Sequence, residues 1–173
     1  MQSEVLRERN YDTEELENFV QANEPLLVPD QRLAYEAITD MIRNGNGGIF
    51  FLDAPRGTGK TFLINLLLAE GHYYGGRTAY SALKLPLDLA RSESPVCNIS
   101  KSPGKAQVLK MCKVIVWDEC TMAHERALEA LDRTLQDIRE NNRLMGGVVL
   151  VLADDFRQTL PVIPRATLRT NLT

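Results

Sequence analysis

The stretch GIFFLDAPRGTGKTFLINLLL, residues 48–68, decides the fold of this chain. A short apolar run at residues 49–52 leads into a glycine-rich turn at residues 54–59, and an apolar segment begins at Lys60 and Thr61. The first run is typical of a buried strand, and the longer apolar segment is typical of a helix. A strand, a glycine-rich loop and a helix in this order form the arrangement that binds the phosphate groups of a nucleotide.

Each residue type around the turn has a physical role in binding a triphosphate. Gly57 and Gly59 carry no Cβ, so backbone N–H groups can surround the phosphates, and the helix N-terminus adds partial positive charge. Lys60 is expected to reach the β- and γ-phosphates of ATP. The Thr61 hydroxyl is expected to take one coordination position on Mg²⁺.

Two further positions complete the predicted nucleotide-binding loop. The strict pattern begins with glycine, and Ala54 stands in that place, so the match contains one substitution. Thr58 lies between the two glycines, and we predict that it also takes part in binding the nucleotide. The alternative interpretation is a glycine turn between two core elements, followed by an exposed lysine.

Length and composition predict one domain. The chain has 173 residues, 44% of them hydrophobic, which is enough for one core. We expect an N-terminal helical appendage at residues 1–29, the nucleotide-binding domain at residues 30–164 and a tail at residues 165–173. The net charge of −3 gives no electrostatic footprint for a nucleic acid. Because the first twenty residues lack the apolar core of a signal peptide and no apolar run approaches membrane length, we expect an intracellular protein without a membrane partner.

A second strand is predicted at residues 113–117, KVIVW, and it ends in Asp118 and Glu119. An apolar strand followed by two acidic residues is the pattern of the element that faces a nucleotide loop in an α/β sheet. Asp118 would hold Mg²⁺, directly or through water, and Glu119 would orient and deprotonate the attacking water. Downstream of a phosphate loop, this pair indicates ATP hydrolysis.

Three more helices are predicted from capping and periodicity. One begins at its cap, Asp12, and runs to Val20. Asp30 is predicted to cap the next helix, whose apolar residues fall at helical spacing. Residues 122–140 form an amphipathic pattern with leucines on one face.

A third buried strand is predicted at residues 148–153, VVLVLA. The polar cluster DDFRQ, residues 154–158, follows it, at the end of a strand where α/β sheets bind ligands. Between residues 71 and 104 the sequence is rich in turn residues, and we predict no strand or helix there.

Taken together, these residues resemble the Pif-one-like, Helitron-associated group of ATP-dependent 5′-to-3′ DNA helicases of superfamily one. The resemblance covers roughly residues 10–164 and rests on ordered matches: NYDTEEL, DQRLAYEAI, APRGTGKT, GGRTAYS, CNISK, VWDECTMAH, ALDRTLQDIR and DFRQTLPVIP. It implies a three-layer α/β domain of the RecA-like P-loop NTPase type, with a mostly parallel sheet. Residues 30–164 would be the first of the two motor domains of such a helicase.

The resemblance also implies roles for two glutamines. Gln31 is similar to the glutamine that reads adenine, although on the residues alone a solvent-facing polar side chain is an equally good interpretation. Gln158 is similar to the glutamine that senses the γ-phosphate and couples hydrolysis to movement on DNA. An amide can donate to a phosphate oxygen and accept from the lytic water, so this role is physically reasonable.

The chain departs from the family's pattern at several positions. The family has glycine where Ala54 and Asp154 stand, usually glycine where Arg56 stands, and usually histidine where Tyr80 stands. Asp154 adds a carboxylate near the expected phosphate site, where it could repel ATP or attract an additional metal ion. The stretch before GGRTAY is shorter than the family's pattern, which implies a missing strand whose loop contacts single-stranded DNA. The edge left beside the VIVW strand would be an aggregation hazard.

By this resemblance, the expected activity is ATP hydrolysis coupled to 5′-to-3′ DNA unwinding, in repair, recombination and telomere maintenance, and the expected DNA partner is single-stranded or forked. The expected location is the nucleus, with the mitochondrion as the alternative. Such motors hydrolyse ATP between two RecA-like domains, and the second supplies arginine fingers. We recognise no second domain up to Thr173, so weak hydrolysis and no processive unwinding are expected unless another chain supplies one. Two alternatives stay open: an ATP-binding switch module that needs no DNA, and a degenerate remnant of a mobile element.

Overall fold

The computed structural model describes residues 12–71, 83, 85–86, 89, 91, 93–99 and 103–155. In chain order its elements are α1 Thr13–Asn23, α2 Pro29–Asn44, β1 Gly48–Asp53, α3 Lys60–Glu70, α4 Pro103–Met111, β2 Val114–Asp118, α5 Arg126–Arg139 and β3 Val149–Asp154. Short 3-10 turns lie at Glu24–Leu26, Cys120–Met122 and Leu144–Gly147. Gln158, Tyr80 and the predicted tail at residues 165–173 lie outside the described residues. Within them, no helix has the length and apolar composition needed to cross a bilayer.

The three strands form one parallel sheet in the order β1-β3-β2. β1 pairs with β3 from Gly48 opposite Val149 to Asp53 opposite Asp154. β2 pairs with the other edge of β3, and there Asp118 lies opposite Ala153. Parallel neighbours need long crossover connections, and the intervening helices provide them. Of the described strands, β3 comes last in the sequence and lies between β1 and β2 in the sheet.

Helices cover both faces of this sheet. Side chains of β3 alternate between the faces, as the period of two in a strand requires. One face packs against α2 and α3, with the buried residues Tyr35, Ile38, Ile42, Leu63, Leu66, Leu67, Val114, Val149 and Val151. The other face packs against α5, with Trp117, Ala127, Leu131, Leu135, Leu150 and Leu152. The predicted three-layer α/β architecture with a parallel sheet is confirmed.

The starts of the first two helices test the predicted caps. Asp12 caps α1, because its carboxylate accepts the backbone N–H groups of Glu14 and Glu15. The predicted cap of α2 is wrong, since that helix begins at Pro29 and Asp30 lies in its first turn. Proline suits the first helical position, because an N–H group there would have no hydrogen-bond acceptor within the helix. Asp30 instead places its negative charge near the positive end of the helix.

The predicted amphipathic helix at residues 122–140 is shorter in the structure. Cys120–Met122 forms a separate 3-10 turn, and α5 begins only at Arg126. The buried face contains Leu131, Leu135 and Ile138, as the spacing predicted. The structure also contains α4, which begins inside the stretch for which no helix was predicted.

Arg139 joins α5 to the end of α4. Its guanidinium donates to the carbonyl oxygens of Leu109, Lys110 and Cys112 at 2.9, 2.7 and 2.9 Å. Its Nε donates to the carbonyl of Gly146 at 2.7 Å. Carbonyl groups at the end of a helix lack intrahelical partners, so a side chain that supplies several donors stabilises that end. The position of α4 therefore depends on a residue from a distant helix.

We expect Arg139→Met to lower the free energy of unfolding by about 2–3 kcal/mol, because several partly buried carbonyls lose a charged donor. Arg133→Met is the matched control on the same helix. Arg133 is exposed and lies 4.0 Å from Glu129 in an ion pair between solvent-facing side chains, so its loss is expected to change stability by about 0.5 kcal/mol or less. Urea unfolding followed by circular dichroism measures both, and equal effects would contradict this role of Arg139.

Candidate nucleotide-binding site

The carboxyl ends of the three strands lie side by side at one edge of the sheet. Asp53 lies opposite Asp154, and Asp118 lies opposite Ala153. The backbone N–H of Ala54 donates to the carbonyl of Asp154 at 3.0 Å, so the pairing continues into the start of the loop. This edge is where parallel α/β sheets bind their ligands. The predicted phosphate loop and the predicted acidic residues thus come to the same place.

The glycines of the loop have the backbone conformation that the predicted role requires. Gly57 and Gly59 have φ angles of 81° and 80°, in the left-handed region that favours glycine. A Cβ at Gly57 would meet no atom within 4 Å, so its surroundings are open. α3 begins directly after Gly59, with no acidic residue in its first turn and no hydrogen bond from a capping side chain. The N–H groups and partial positive charge of this helix end therefore suit an anionic phosphate.

The two substitutions within the loop are compatible with its backbone. Among the described residues other than glycine, positive φ angles occur only at Glu119, Glu140 and Met145. Ala54 and Arg56 therefore adopt conformations open to any residue, and glycine is not required at either position.

Lys60 and Asp118 form the central contact of the site. The Lys60 Nζ lies 2.7 Å from Oδ1 of Asp118, and their side chains are 21% and 48% exposed. The same Oδ1 accepts the backbone N–H of Glu119 at 3.0 Å. The contact joins the start of α3 to the end of β2 across the central strand. An ammonium group has three rotatable donors, so Lys60 can contact a phosphate at this place as well.

Glu119 lies at a sharp turn directly after β2. Its φ and ψ of 53° and 42° are left-handed, a conformation that costs a residue other than glycine on the order of 1 kcal/mol or more. The turn leads into Cys120–Met122, so Glu119 stays exposed at the edge of the sheet. Glu119 thus lies at the same edge of the sheet as the phosphate loop, and its role as the base that acts on water stays a prediction.

The residues predicted to bind Mg²⁺ have suitable chemistry. Carboxylate and hydroxyl oxygens are ligands that Mg²⁺ prefers, and Asp118 and Thr61 supply one of each. Thr61 is exposed in the first turn of α3, next to the lysine that contacts Asp118. In the described part of the chain, no group of three or more His, Cys, Asp or Glu side chains is arranged to hold a metal ion. These two residues fit an ion that is also bound by phosphate oxygens and water.

The additional carboxylate of Asp154 is bonded to its neighbours. One oxygen accepts both the hydroxyl and the backbone N–H of Thr121, the latter at 3.0 Å, and the other accepts the N–H of Asp155 at 2.8 Å. Burial acts to raise the pKa of Asp154, but these hydrogen bonds and the charge of Lys60 hold that pKa below its usual value. The pairing with Thr121 was not predicted, and its only sequence signal is the departure from glycine at this position.

Gln31 connects α2 to the phosphate loop. Its side-chain oxygen accepts the N–H of Val28 at 3.2 Å, and its Nε2 donates to the carbonyl of Thr58 at 2.7 Å. A Cβ at Gly59 would lie 2.5 Å from this Nε2, so only glycine leaves room for the contact. Gln31 is therefore in contact with the loop, and its reading of adenine stays a prediction.

Comparison with known proteins identifies the family. A model of the PIF1-like helicase family matches residues 68–173, which is more than half of the chain. This chain belongs to the PIF1-like helicases. The family predicted from the sequence motifs is confirmed.

Individual PIF1-like helicases match the chain over a limited part of their own length. The ATP-dependent DNA helicase Pif1 of Psychrobacter sp. (strain PRwf-1) is 25% identical over 71% of this chain and 21% of that protein. The PIF1 helicase of Danio rerio is 25% identical over 76% of this chain and 23% of that protein. The chain thus spans about a fifth of the length of these relatives.

Solved structures of a PIF1-like helicase show the same fold. Unliganded Pif1 from Bacteroides sp. matches with a TM-score of 0.59 and 22% identity, over 79% of this chain and 33% of that chain. The same helicase in complex with ADP-AlF4 matches with a TM-score of 0.56 and 23% identity, over 75% of this chain and 33% of that chain. The described α/β layers are therefore those of a PIF1-like helicase domain.

We expect Gln31→Glu to loosen the phosphate loop. Glutamate keeps an acceptor for Val28 but removes the donor to Thr58 and places two oxygens against each other. The loss of one hydrogen bond, about 1 kcal/mol, corresponds to roughly fivefold faster local opening. Hydrogen exchange measures it at the amides of Thr58 and Leu63, which donate to the carbonyls of Pro55 and Gly59. Gln107→Glu, at an exposed position on α4, is the charge-matched control, and equal exchange in both variants would count against the contact.

Proposed function

We propose that this chain binds and hydrolyses Mg·ATP as the first motor domain of a PIF1-like helicase. The observation that supports this most directly is the 2.7 Å contact between Lys60 and Asp118 beside the glycine loop. It brings together the two charges that a P-loop NTPase uses on phosphate and on metal. The curated relatives are named ATP-dependent DNA helicases, which supports the same activity.

Each residue of the site then has a defined task. With nucleotide bound, Lys60 would turn one or more of its donors from Asp118 to the β- and γ-phosphate oxygens, and Asp118 and Thr61 would hold the metal. A bound Mg²⁺ supplies electrostatic stabilisation of the charge that develops on the transferred phosphoryl group. Glu119 orients the attacking water and takes its proton.

The two glutamines would connect this site to the base and to movement. We propose that Gln31 reads adenine. Its amide would then give up its hydrogen bond to the Thr58 carbonyl for one to the base, or contact both. Gln158 would sense the γ-phosphate and couple hydrolysis to movement on DNA. An amide suits both tasks because it carries donors and an acceptor in one group.

The proposal extends from ATP hydrolysis to DNA unwinding. One solved Bacteroides Pif1 structure is described as a complex with ADP-AlF3 and single-stranded DNA, which supports DNA as the partner of this family. We propose that this domain, together with a second motor domain, takes part in 5′-to-3′ DNA unwinding in repair, recombination and telomere maintenance, and that its DNA partner is single-stranded or forked. The proposed location is the nucleus or the mitochondrion.

Calorimetric titration with Mg·ATP tests nucleotide binding. We expect Lys60→Met to weaken binding by about 10- to 100-fold, the effect of losing a charged hydrogen bond to phosphate. Its stability without nucleotide should change by about 1 kcal/mol or less, because the ion pair with Asp118 is partly exposed. Lys113→Met, at an exposed position before β2, is the matched control. Absence of heat with the folded wild-type chain would refute the proposed nucleotide site.

ATP hydrolysis with and without single-stranded DNA tests the motor role. We expect DNA to stimulate the wild-type rate, since a motor couples hydrolysis to its track. Glu119→Gln should bind Mg·ATP normally and hydrolyse it about 10²- to 10⁴-fold more slowly, because the general base is lost. A rate of ATP hydrolysis that is the same with and without DNA would favour the ATP-binding switch module instead.

A further inference from the structure

The carboxylate of Asp154 holds the turn that follows the predicted catalytic acid. We propose that Asp154 is a positioning residue for ATP hydrolysis: by binding Thr121, it fixes the left-handed turn at Glu119 beside the phosphate loop. The proposal rests on the proposed hydrolysis by this site. It assigns a role to a residue that differs from the glycine expected at this position.

The position of Asp154 in the fold makes it suitable for this role. It ends β3, the central strand, and its own carbonyl accepts the N–H of Ala54 at 3.0 Å. Its side chain accepts two hydrogen bonds from Thr121, one from the hydroxyl and one from the backbone. The backbone of Asp154 thus contacts the start of the phosphate loop, and its side chain contacts the turn after Glu119.

The conformation of Glu119 needs support from both sides. A left-handed residue other than glycine persists only where its surroundings determine it. Before the turn, the N–H of Glu119 donates to Asp118 at 3.0 Å. After the turn, the N–H of Ala123 donates to the carbonyl of Cys120 at 3.1 Å, and Thr121 donates to Asp154. Asp154 therefore supplies the contact that ties the far side of this turn to the sheet.

The bonding of Asp154 favours positioning over direct contact with nucleotide. Its two oxygens already accept three hydrogen bonds, from Thr121 and Asp155. Lys60 forms its ion pair with Asp118. Loss of the Asp154 carboxylate should therefore release the turn at Glu119 more than it changes nucleotide affinity.

Two variants and their combination isolate the contact. Asp154→Gly removes the acceptor, and Thr121→Val removes the hydroxyl while it keeps the size of the side chain. If the two residues act through one contact, the double variant loses no more than the more affected single variant. Thr121→Ser keeps both donors and is the conservative control.

The first measurement is unfolding without nucleotide. Trp117 is the single tryptophan of the sequence and directly precedes Asp118, so its fluorescence can follow unfolding of this region. We expect the destabilising effects of Asp154→Gly and Thr121→Val to be strongly non-additive. Fully additive effects would show that the two residues act independently and would overturn the proposal.

The second measurement separates binding from catalysis. Aluminium fluoride with Mg·ADP mimics the transferred phosphoryl group, and tighter binding of ADP in its presence reports a catalytically arranged site. We expect wild type and Thr121→Ser to show this gain. Asp154→Gly and Thr121→Val should each lose about 10-fold of it, while their affinity for Mg·ADP alone stays within about twofold. Single-turnover hydrolysis of ATP should fall by the same factor.

The outcomes distinguish this proposal from the function on which it rests. A folded wild-type chain that binds no Mg·ADP would overturn the proposed function, and the positioning role would fall with it. If wild type binds Mg·ADP but aluminium fluoride adds nothing, nucleotide binding stands, and the proposed hydrolysis and the positioning role are both overturned. The positioning role alone is overturned if the variants keep the full gain in ADP affinity with aluminium fluoride. It is also overturned if they lose affinity for Mg·ADP alone as strongly as they lose that gain.

Discussion

The insertion of β3 between β1 and β2 is the constraint on which the site depends. Because all three strands are parallel, their carboxyl ends meet at one edge. The phosphate loop leaves from β1 at this edge, and the acidic pair leaves from β2. The 2.7 Å contact of Lys60 with Asp118 crosses the end of the central strand and joins two segments that lie 58 residues apart in the chain. Without this strand order, neither the loop nor the acids would form a site.

The parts of the fold and site that could be predicted are those with local causes. Buried strands are continuous apolar runs, and the loop glycines are needed for their positive φ angles, so both leave a signal in a few adjacent residues. Lys60 directly follows the glycine loop and Asp118 ends its strand, and the sequence marks both places. Once these elements are placed in a parallel sheet, their meeting follows from the geometry of the sheet. Asp12 could be recognised as a cap for the same reason, because its partners are two and three residues away.

What could not be predicted depends on contacts between distant residues. The carbonyl groups at the end of α4 accept hydrogen bonds from Arg139, which lies 27 to 30 residues further along the chain. Gln31 reaches Thr58 across 27 residues, and on the residues alone its contact with the loop could not be told from exposure to solvent. Asp154 and Thr121 are 33 residues apart. The error at Asp30 has a local origin, since two starting signals, Pro29 and Asp30, are adjacent and the proline determines where the helix begins.

The charges at this edge suggest why the nucleotide would arrive with its metal ion. Asp118 and Asp154 place two carboxylates near the ammonium of Lys60. A free triphosphate would therefore meet an edge where these two acids outnumber the lysine beside them, and like charges repel. A divalent ion bound to the phosphates would lower their charge and give Asp118 a cation in place of Lys60, whose ammonium would then be available to the phosphates. The hydrogen bonds from Thr121 and Asp155 have the complementary effect, because they add to Lys60 in stabilising the charge of Asp154.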